Sequence, residues 1–301
     1  MALSRMDLDG KGSGSPEGLI ALILKAAPGL TVPIPIEDLA RKLDIEDIQE
    51  FDTQGFEGGL ITDTARSRGV ILTRNGHPFR RRFTVGHELG HFLIPTHVPD
   101  VAGRFLCSRE DMRLLSAAEN DRRGRMEVEA NRFSSLILMP PPLLRPYLKR
   151  RDPDIRHMAK LADLFQVSKQ AMARAYALYG EHILAFVFAK AGKVLFSVKH
   201  FRFPFIVVGS GATVPQGSLL RRDRTQPGVA TDLCECVPDI WIDVTRGERA
   251  PNLYEQTLGQ RDQFAIVMLW LEPSEEEDED EDRDADRTAR ERFRERQQRY
   301  R

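Results

Sequence analysis

Cysteine is scarce in this 301-residue sequence, and long hydrophobic runs are absent. Three cysteines, Cys107, Cys234 and Cys236, cannot form a disulfide framework and indicate a reducing compartment. The last two form a C-x-C without a second pair at zinc-finger spacing, so we interpret them as ordinary thiols near a strand. No apolar run approaches the roughly 18 residues of a membrane span, and the polar, glycine-rich first residues do not resemble a signal peptide. We therefore expect a soluble cytoplasmic protein.

The formal net charge of −1 hides an uneven distribution of charge. Residues 272–301 carry thirteen acids and eight arginines, so the rest of the chain is net positive by about four charges. Glu275–Asp282 is a run of eight consecutive acids, and such runs repel themselves and stay solvated. We expect a solubilising tail there, with electrostatic mimicry of nucleic acid as a less favoured alternative.

The chemistry of the chain is concentrated in the stretch RRRFTVGHELGHFLI, residues 80–94, which contains an H-E-x-x-H motif. His87 and His91 are four residues apart, so on a helix both imidazoles reach one metal ion. Glu88 then lies beside a water that the metal activates and can accept its proton. We predict a zinc site with His87 and His91 as ligands and Glu88 as the catalytic base, Mn²⁺ being an alternative metal.

The surrounding residues favour a buried helix. Apolar side chains cover much of its surface, Thr84 is placed to help start it, and Pro95 is placed to stop it. The alternative is a core helix with two structurally satisfied histidines. A pair at this spacing with an adjacent glutamate disfavours that alternative.

A third metal ligand is expected from three candidates. Glu127 begins the helical pattern MEVEANRFSSLILMP and shares a face with Asn131, which can orient a ligand from outside the coordination sphere. Glu129 points to the opposite side, so both glutamates cannot be ligands. His97 has the spacing of a third histidine ligand, but Ile94 and Pro95 replace the glycine turn of that class. Glu127 therefore ranks first, His97 lower, and Glu110 and Glu119 lowest.

A small sheet is predicted before the metal helix. Gly58–Thr62 and Gly69–Thr73 read as strands, and Asn75-Gly76 is a strong turn signal. An edge strand beside the metal would let an extended peptide substrate add to the sheet. Gly59–Thr62 and Val70–Thr73 are the candidates for that edge.

The two motifs together resemble the ImmA/IrrE metallopeptidases, HExxH zinc peptidases of the gluzincin type. RRRFTVGHELGHFLI is similar to the R-F-T-x-x-H-E-x-G-H helix of that family, and EVEANRFSSLILMP is similar to its E-x-x-A/C-N-x-F-A-x-x-L-L-M-P helix. The resemblance implies that His87, His91 and Glu127 bind metal and that Glu88 is the base. It also implies cleavage of a partner transcriptional repressor, in mobile-element control or in a response to DNA damage.

Two further helices follow, Ile155–Phe165 and Ser168–Tyr179, with Ser168 predicted to cap the second. Their sequence resembles a helix-turn-helix in a basic region. No base-reading set of side chains stands out, so packing on the peptidase domain is favoured over DNA binding.

The chain after residue 181 is rich in β-branched and aromatic runs, so the predicted fold class is α+β. The runs are HILAFVFAK, KVLFSVKHF, FPFIVVG, IWIDV and QFAIVMLWL. We expect a disordered N-terminus (1–16), a zincin-like metallopeptidase domain (17–142), a helix-turn-helix-like segment (143–180), a β-rich C-terminal domain (181–271) and a charged tail (272–301).

The predicted function is that of a zinc-dependent endopeptidase that cleaves a helix-turn-helix repressor at one site and so derepresses mobile-element or stress-response genes. No membrane partner is expected. The alternative is a non-catalytic regulator or antitoxin-like protein that uses the metal as a brace. The presence of Glu88 disfavours the alternative, because a structural metal site needs no base.

Overall fold

The computed structural model describes residues 14–63, 65–99, 101, 103–149, 151–223, 226–244 and 250–272. The predicted tail from residue 273 and most of the predicted disordered N-terminus lie outside these residues. The chain divides into two compact units, residues 1–149 with 158–179 (the N-terminal unit) and residues 150–157 with 180–301 (the C-terminal unit). The fold is α+β, as predicted. None of the helices in the described ranges is long and apolar enough to cross a membrane.

The N-terminal unit combines helices with one four-stranded sheet. Its elements are α1 (Pro16–Ala26), α2 (Ile36–Lys42), β1 (Ile45–Phe51), β2 (Gly58–Thr62), β3 (Gly69–Arg74), α3 (Pro78–Leu93), β4 (Arg104–Cys107), α4 (Arg122–Leu138) and α5 (Pro141–Leu148). Helices α6 (Ile155–Phe165) and α7 (Lys169–Tyr179) follow. Ser168 caps α7 as predicted, because its Oγ accepts from the Ala171 amide at 3.1 Å.

The sheet order is β1-β3-β2-β4, so β1 and β4 are its edges. Both predicted edge candidates are therefore wrong, because Gly59–Thr62 and Val70–Thr73 lie in the two central strands. The strand on the edge beside α3 is β4, which pairs antiparallel with β2. It lies in the stretch between α3 and α4, where we predicted no strand.

Helix α3 carries the H-E-x-x-H motif and is longer than expected. It begins at Pro78, with His77 Nδ1 accepting from the Phe79 amide at 3.2 Å, so the prediction that Thr84 starts it is wrong. A proline at the first helical position is favoured because its missing N–H would be unpaired there. The helix ends before Pro95 as predicted, since Ile94 is extended.

Helices α3 and α4 pack closely because two glycines of α3 leave room. A Cβ at Gly86 would lie 2.7 Å from Ser134 Oγ, and a Cβ at Gly90 would lie 3.2 Å from Phe133 Cβ. Ser134 Oγ in turn donates to the Phe83 carbonyl at 2.7 Å. The contact brings the middle of α4 against the motif helix and sets the position of Glu127.

The C-terminal unit contains a five-stranded antiparallel sheet. Its strands are β5 (Ile183–Lys190), β6 (Lys193–Lys199), β7 (Cys234–Cys236), β8 (Leu253–Gly259) and β9 (Phe264–Leu271), in the order β6-β5-β9-β8-β7. A short helix, α8 (Leu219–Arg222), accompanies them. The runs FPFIVVG and IWIDV, predicted as strands, contribute only one isolated bridge, between Ile206 and Ile242.

A buried carboxylate organises one side of this sheet. Glu255, on β8, accepts from Ser218 Oγ at 2.5 Å and from Trp241 Nε1 at 2.9 Å. Ser218 also caps α8 by accepting from the Leu220 amide. Burial raises the pKa of Glu255, although these hydrogen bonds oppose the shift. Strand β8 was not predicted from the sequence, because it directs polar side chains toward the interior.

Candidate metal centre

His87, Glu88 and His91 lie on the buried side of α3, and Glu127 on α4 faces them. The Nε2 atoms of the two histidines are 3.1 Å apart. Glu127 Oε2 lies 3.1 Å from His87 Nε2 and 3.4 Å from His91 Nε2. The structure thus brings all four predicted site residues into one buried cluster.

The tautomer of His87 follows from its neighbour Asn131. Asn131 Nδ2 donates to the carbonyls of Asp111 and Leu114 at 2.9 and 3.1 Å, which fixes the orientation of the amide. Its Oδ1 lies 2.9 Å from His87 Nδ1 and can only accept, so Nδ1 carries the proton. In the neutral ring, His87 Nε2 therefore presents a lone pair to the cluster. This matches the role in orienting a ligand that the sequence predicted for Asn131.

A longer chain of contacts fixes His91. Glu129 Oε2 lies 3.0 Å from His97 Nε2, and His97 Nδ1 lies 3.0 Å from His91 Nδ1. A carboxylate accepts, so His97 donates to it through Nε2 and accepts from His91 through Nδ1. The Nε2 lone pair of His91 then points into the cluster. The structure places His97 and Glu129, the competing ligand candidates, behind His91 and not beside Glu127.

Arg66 holds the end of α3 in place. Its guanidinium donates to the carbonyl of His97 at 2.6 Å, to that of Phe92 at 2.9 Å and to that of His91. The last carbonyls of a helix attract a cation, because they lack partners within the helix. This contact fixes the turn that carries His97 back toward His91.

The charges of the cluster are consistent with a site for a cation. Burial alone would raise the pKa of Glu127, but contacts with His87 and His91 outweigh burial and lower it. Burial lowers the pKa of His91 to about 3, so its imidazole is neutral. Burial would also lower the pKa of His87, but Glu127 and Glu88 raise it. A metal ion would compete for that proton.

Glu88 occupies a fully buried position beside the ligand candidates. Burial raises the pKa of Glu88 to about 8, against the opposing effect of His87. Its Oε1 has no hydrogen-bond partner within the described residues. Room for this carboxylate depends on Gly58, because a Cβ there would lie 2.5 Å from Oε1.

The structure adds one residue that the sequence did not suggest. Cys107, on β4, is buried with Sγ 3.6 Å from His91 Nε2 and 3.9 Å from Glu127 Oε1. His87, His91, Cys107 and Glu127 form a group that could hold a metal ion. A single cysteine in a four-residue strand gives no spacing signal, so only the fold could reveal its position.

A shallow pocket of about 150 Å³ reaches the cluster at Glu127. It borders the edge strand β4. Its lining residues are Pro99, Val101, Arg104, Phe105, Leu106, Arg123, Met126 and Glu127. The buried cluster is therefore reached from the side of the sheet where β4 has no neighbouring strand.

Comparison with known proteins identifies the part of the chain that holds this site. A family model described as the IrrE N-terminal-like domain, of the peptidase M78 family, matches residues 40–176. No curated protein matches the chain. The chain is similar to the solved structure of a Mycobacterium tuberculosis transcriptional regulator, with 13% identity, a TM-score of 0.50, and coverage of 85% of this chain and 87% of that chain. At this identity the likeness shows the fold alone. Residues 40–176, which include every side chain of the candidate metal centre, therefore match the IrrE N-terminal-like domain of the peptidase M78 family, and the resemblance drawn from the two motifs is confirmed.

Proposed function

We propose that the chain is a metal-dependent endopeptidase in which His87, His91 and Glu127 hold a zinc ion and Glu88 is the general base. The observation that carries the proposal is the convergence of the two Nε2 atoms and Glu127 Oε2 within 3.4 Å of one another. When their other ring nitrogens carry the protons, both histidines present lone pairs to a carboxylate oxygen. Such acceptors repel one another unless a cation lies among them.

The donor chemistry fits zinc, which binds imidazole and carboxylate in catalytic sites. Among the described residues, Glu127 Oε2 makes no hydrogen bond of acceptable geometry despite its closeness to both histidines, as expected of an atom directed at a metal. A bound zinc ion would supply Lewis-acid activation of a water and of the peptide carbonyl. Mn²⁺ is the alternative metal.

Glu88 has the position and the environment of a proton carrier. Its raised pKa means that the carboxyl holds a proton readily, and its Oε1 has no competing partner among the described residues. In the proposed reaction Glu88 takes a proton from the attacking water and later gives it to the leaving amide nitrogen. A metal held only as a structural brace would require no such group.

The edge strand β4 provides a place for an extended peptide. Phe105 and Cys107 of this strand face inward, while Arg104 and Leu106 are exposed along the pocket that leads to Glu127. A peptide that adds to the free edge of β4 would bring its backbone to the rim of the site. This strand takes the role that the sequence assigned to β2 or β3.

The proposed substrate is a transcriptional repressor of the helix-turn-helix class, cleaved at one site in the cytoplasm. The family resemblance carries this part of the proposal. We further propose the division into a peptidase domain at 17–142, a helix-turn-helix-like segment at 143–180 and a β-rich domain at 181–271.

A second candidate function is regulation without catalysis. It is favoured by the likeness to a solved structure whose name is that of a transcriptional regulator. DNA binding by the full chain, weakening steeply with salt, would support this candidate. The buried Glu88, whose Oε1 has no hydrogen-bond partner among the described residues, favours the peptidase.

The test combines metal content with cleavage. Wild type, Glu88→Gln and Glu127→Ala are purified, assayed for bound metal, and incubated with the helix-turn-helix repressor encoded nearest to the gene. We expect Glu88→Gln to keep the metal and lose cleavage, and Glu127→Ala to lose the metal. Cleavage by Glu88→Gln at the wild-type rate would refute the assigned base. Tight metal binding by Glu127→Ala would refute the ligand set.

A further inference from the structure

Cys107 contacts the metal cluster from strand β4, whereas His87, His91 and Glu127 lie on helices α3 and α4. It is the last residue of β4 and pairs with Gly58 of β2, a register that directs its side chain inward together with Phe105. Phe105 stacks on the His91 ring with the centroids 4.6 Å apart, which fixes the strand against α3. The position of Sγ is therefore set by the sheet.

The distance from Sγ to His91 Nε2 matches that between two ligand atoms of a tetrahedral site, and the ligand atoms of the whole group lie within 4.8 Å of one another. Zinc–sulfur and zinc–nitrogen bonds of about 2.3 and 2.0–2.1 Å place S and N about 3.5 Å apart at a tetrahedral angle. Cys107 Sγ lies 3.6 Å from His91 Nε2. Two nitrogens or a nitrogen and an oxygen are expected about 3.3 Å apart by the same geometry. The observed separations among His87, His91 and Glu127 are 3.1 to 3.4 Å.

A second observation points to a cation beside this thiol. The carboxylate atoms Glu88 Oε1 and Glu127 Oε2 are both buried and both without a hydrogen-bond partner within the described part of the chain. Cys107 Sγ lies 3.9 Å from the second oxygen of each carboxylate, Glu88 Oε2 and Glu127 Oε1. Two buried acids around one sulfur are costly unless a positive charge is bound between them.

We propose that Cys107 is a fourth protein ligand and that it closes the metal site. The inference rests on the metal centre of the proposed function and adds its regulation. Catalytic zinc sites keep one position open for water, whereas sites with four protein ligands are closed. With the Cys107 thiolate bound, the wild-type chain is a latent peptidase. Displacement of this thiolate from the metal is the event that exposes the position for water.

Cobalt substitution tests the ligand directly, without an activity readout. The full chain is stripped of metal, loaded with one equivalent of Co²⁺, and its absorption recorded. Wild type is expected to show a near-ultraviolet sulfur-to-cobalt charge-transfer band. Cys107→Ser is expected to bind Co²⁺ with its visible bands but to lose the charge-transfer band. The matched control is the Cys234→Ser/Cys236→Ser variant, whose cysteines belong to the C-terminal unit and which should keep the band.

Cleavage of the same repressor tests latency. If fewer than about one molecule in ten has the open position, Cys107→Ala should raise the cleavage rate at least about tenfold, because activity scales with the competent fraction. Circular dichroism of both Cys107 variants verifies that they fold. The proposal is overturned if the wild-type Co²⁺ complex lacks the charge-transfer band, or if the band persists in Cys107→Ser. Either result leaves the proposed peptidase function standing. Unchanged or reduced cleavage by folded, metal-loaded Cys107→Ala overturns the latency. Failure of wild type to bind any metal overturns the proposed function as well.

Discussion

The Nδ1 atoms of His91 and His97 lie 3.0 Å apart in the buried interior of the N-terminal unit, and Glu129 completes the chain at 3.0 Å from His97. The relationship makes His97 a support for His91, one of the proposed ligands. Replacing such supports costs metal affinity of about 10- to 100-fold. We therefore expect His97→Phe to bind metal that much more weakly, with unchanged stoichiometry at saturation, in competition titrations against a chromophoric chelator. Glu119→Gln, at an exposed position in the loop before α4, is the control. Loss of stoichiometric binding in His97→Phe would instead make His97 a ligand.

Asn131 both stabilises the segment Asp111–Leu114 and orients His87. Asn131→Leu removes both donors to the Asp111 and Leu114 carbonyls and the acceptor for His87. We expect a loss of about 2–4 kcal/mol in the free energy of unfolding, because buried partners are left without hydrogen bonds. Asn131→Asp keeps an acceptor for His87 and loses only the donors. It should be destabilised too, yet bind metal more tightly than Asn131→Leu; equal affinities would contradict the orienting role. Urea unfolding followed by circular dichroism and a chelator titration measure the two effects.

Gly58 leaves the space that the Glu88 carboxylate occupies. In Gly58→Ala the new Cβ would meet Glu88 Oε1 and Thr84 Cγ2, both at 2.5 Å. Overpacking of this kind costs about 1–3 kcal/mol, and displacement of Glu88 should lower cleavage with metal content unchanged. Gly29→Ala is the matched control, because a Cβ there meets nothing within 4 Å. Full activity in Gly58→Ala would show that the base does not depend on this space.

Glu255 should be a principal determinant of stability in the C-terminal unit. Glu255→Leu leaves the buried Trp241 indole N–H and the Ser218 hydroxyl without their acceptor. We expect the free energy of unfolding to fall by about 2–4 kcal/mol. Both tryptophans of the chain, Trp241 and Trp270, lie in this unit, so their fluorescence follows its unfolding specifically. Glu235→Leu, exposed on β7, is the control and should change little.

The same carboxyl predicts a pH dependence of defined sign. Burial raises the folded-state pKa of Glu255 above its ordinary value of 4.5. Its contribution to stability is therefore complete below pH 4.5 and declines as the pH rises through the folded-state pKa. Relative to Glu255→Gln, which stays neutral, wild type should lose stability as the pH rises from about 4.5 through the folded-state pKa, measured by tryptophan-monitored denaturation. A gain of relative stability over that interval would show the pKa to be lowered instead.

The motif helix and the faces of α4 could be predicted because they depend on periodicity within one segment. His91 follows His87 by four positions and Glu127 precedes Asn131 by four, so each pair shares a helix face whatever the rest of the chain does. The packing of α3 on α4 could not be predicted in the same way. It depends on the absence of side chains at Gly86 and Gly90, whose partners in α4 lie more than forty residues away.

The missed elements share a physical cause. Strand β4 has only four residues, two inward and two outward, which is too short for an alternating pattern to stand out from a polar connection. Strand β8 was missed because Glu255, Gln256 and Thr257 are buried polar residues that depend on partners elsewhere in the unit. Helix α5 was missed because prolines that end α4 also begin the next helix. Conversely, IWIDV was predicted as a strand because of its composition, but it forms none. Its Trp241 lies in the core.

The glycine-mediated contact between α3 and α4 separates folding from metal loading. Small zinc-nucleated modules have no core of their own and fold only when the ion arrives. Here Leu89, Phe92 and Phe133 are buried in an apolar core around the helices that carry the ligands. The packing of these helices would therefore form the site before the ion binds, and the ion could leave without unfolding the chain. Occupancy of the proposed site would then follow the supply of free metal, and the chain would stay folded while the site is empty.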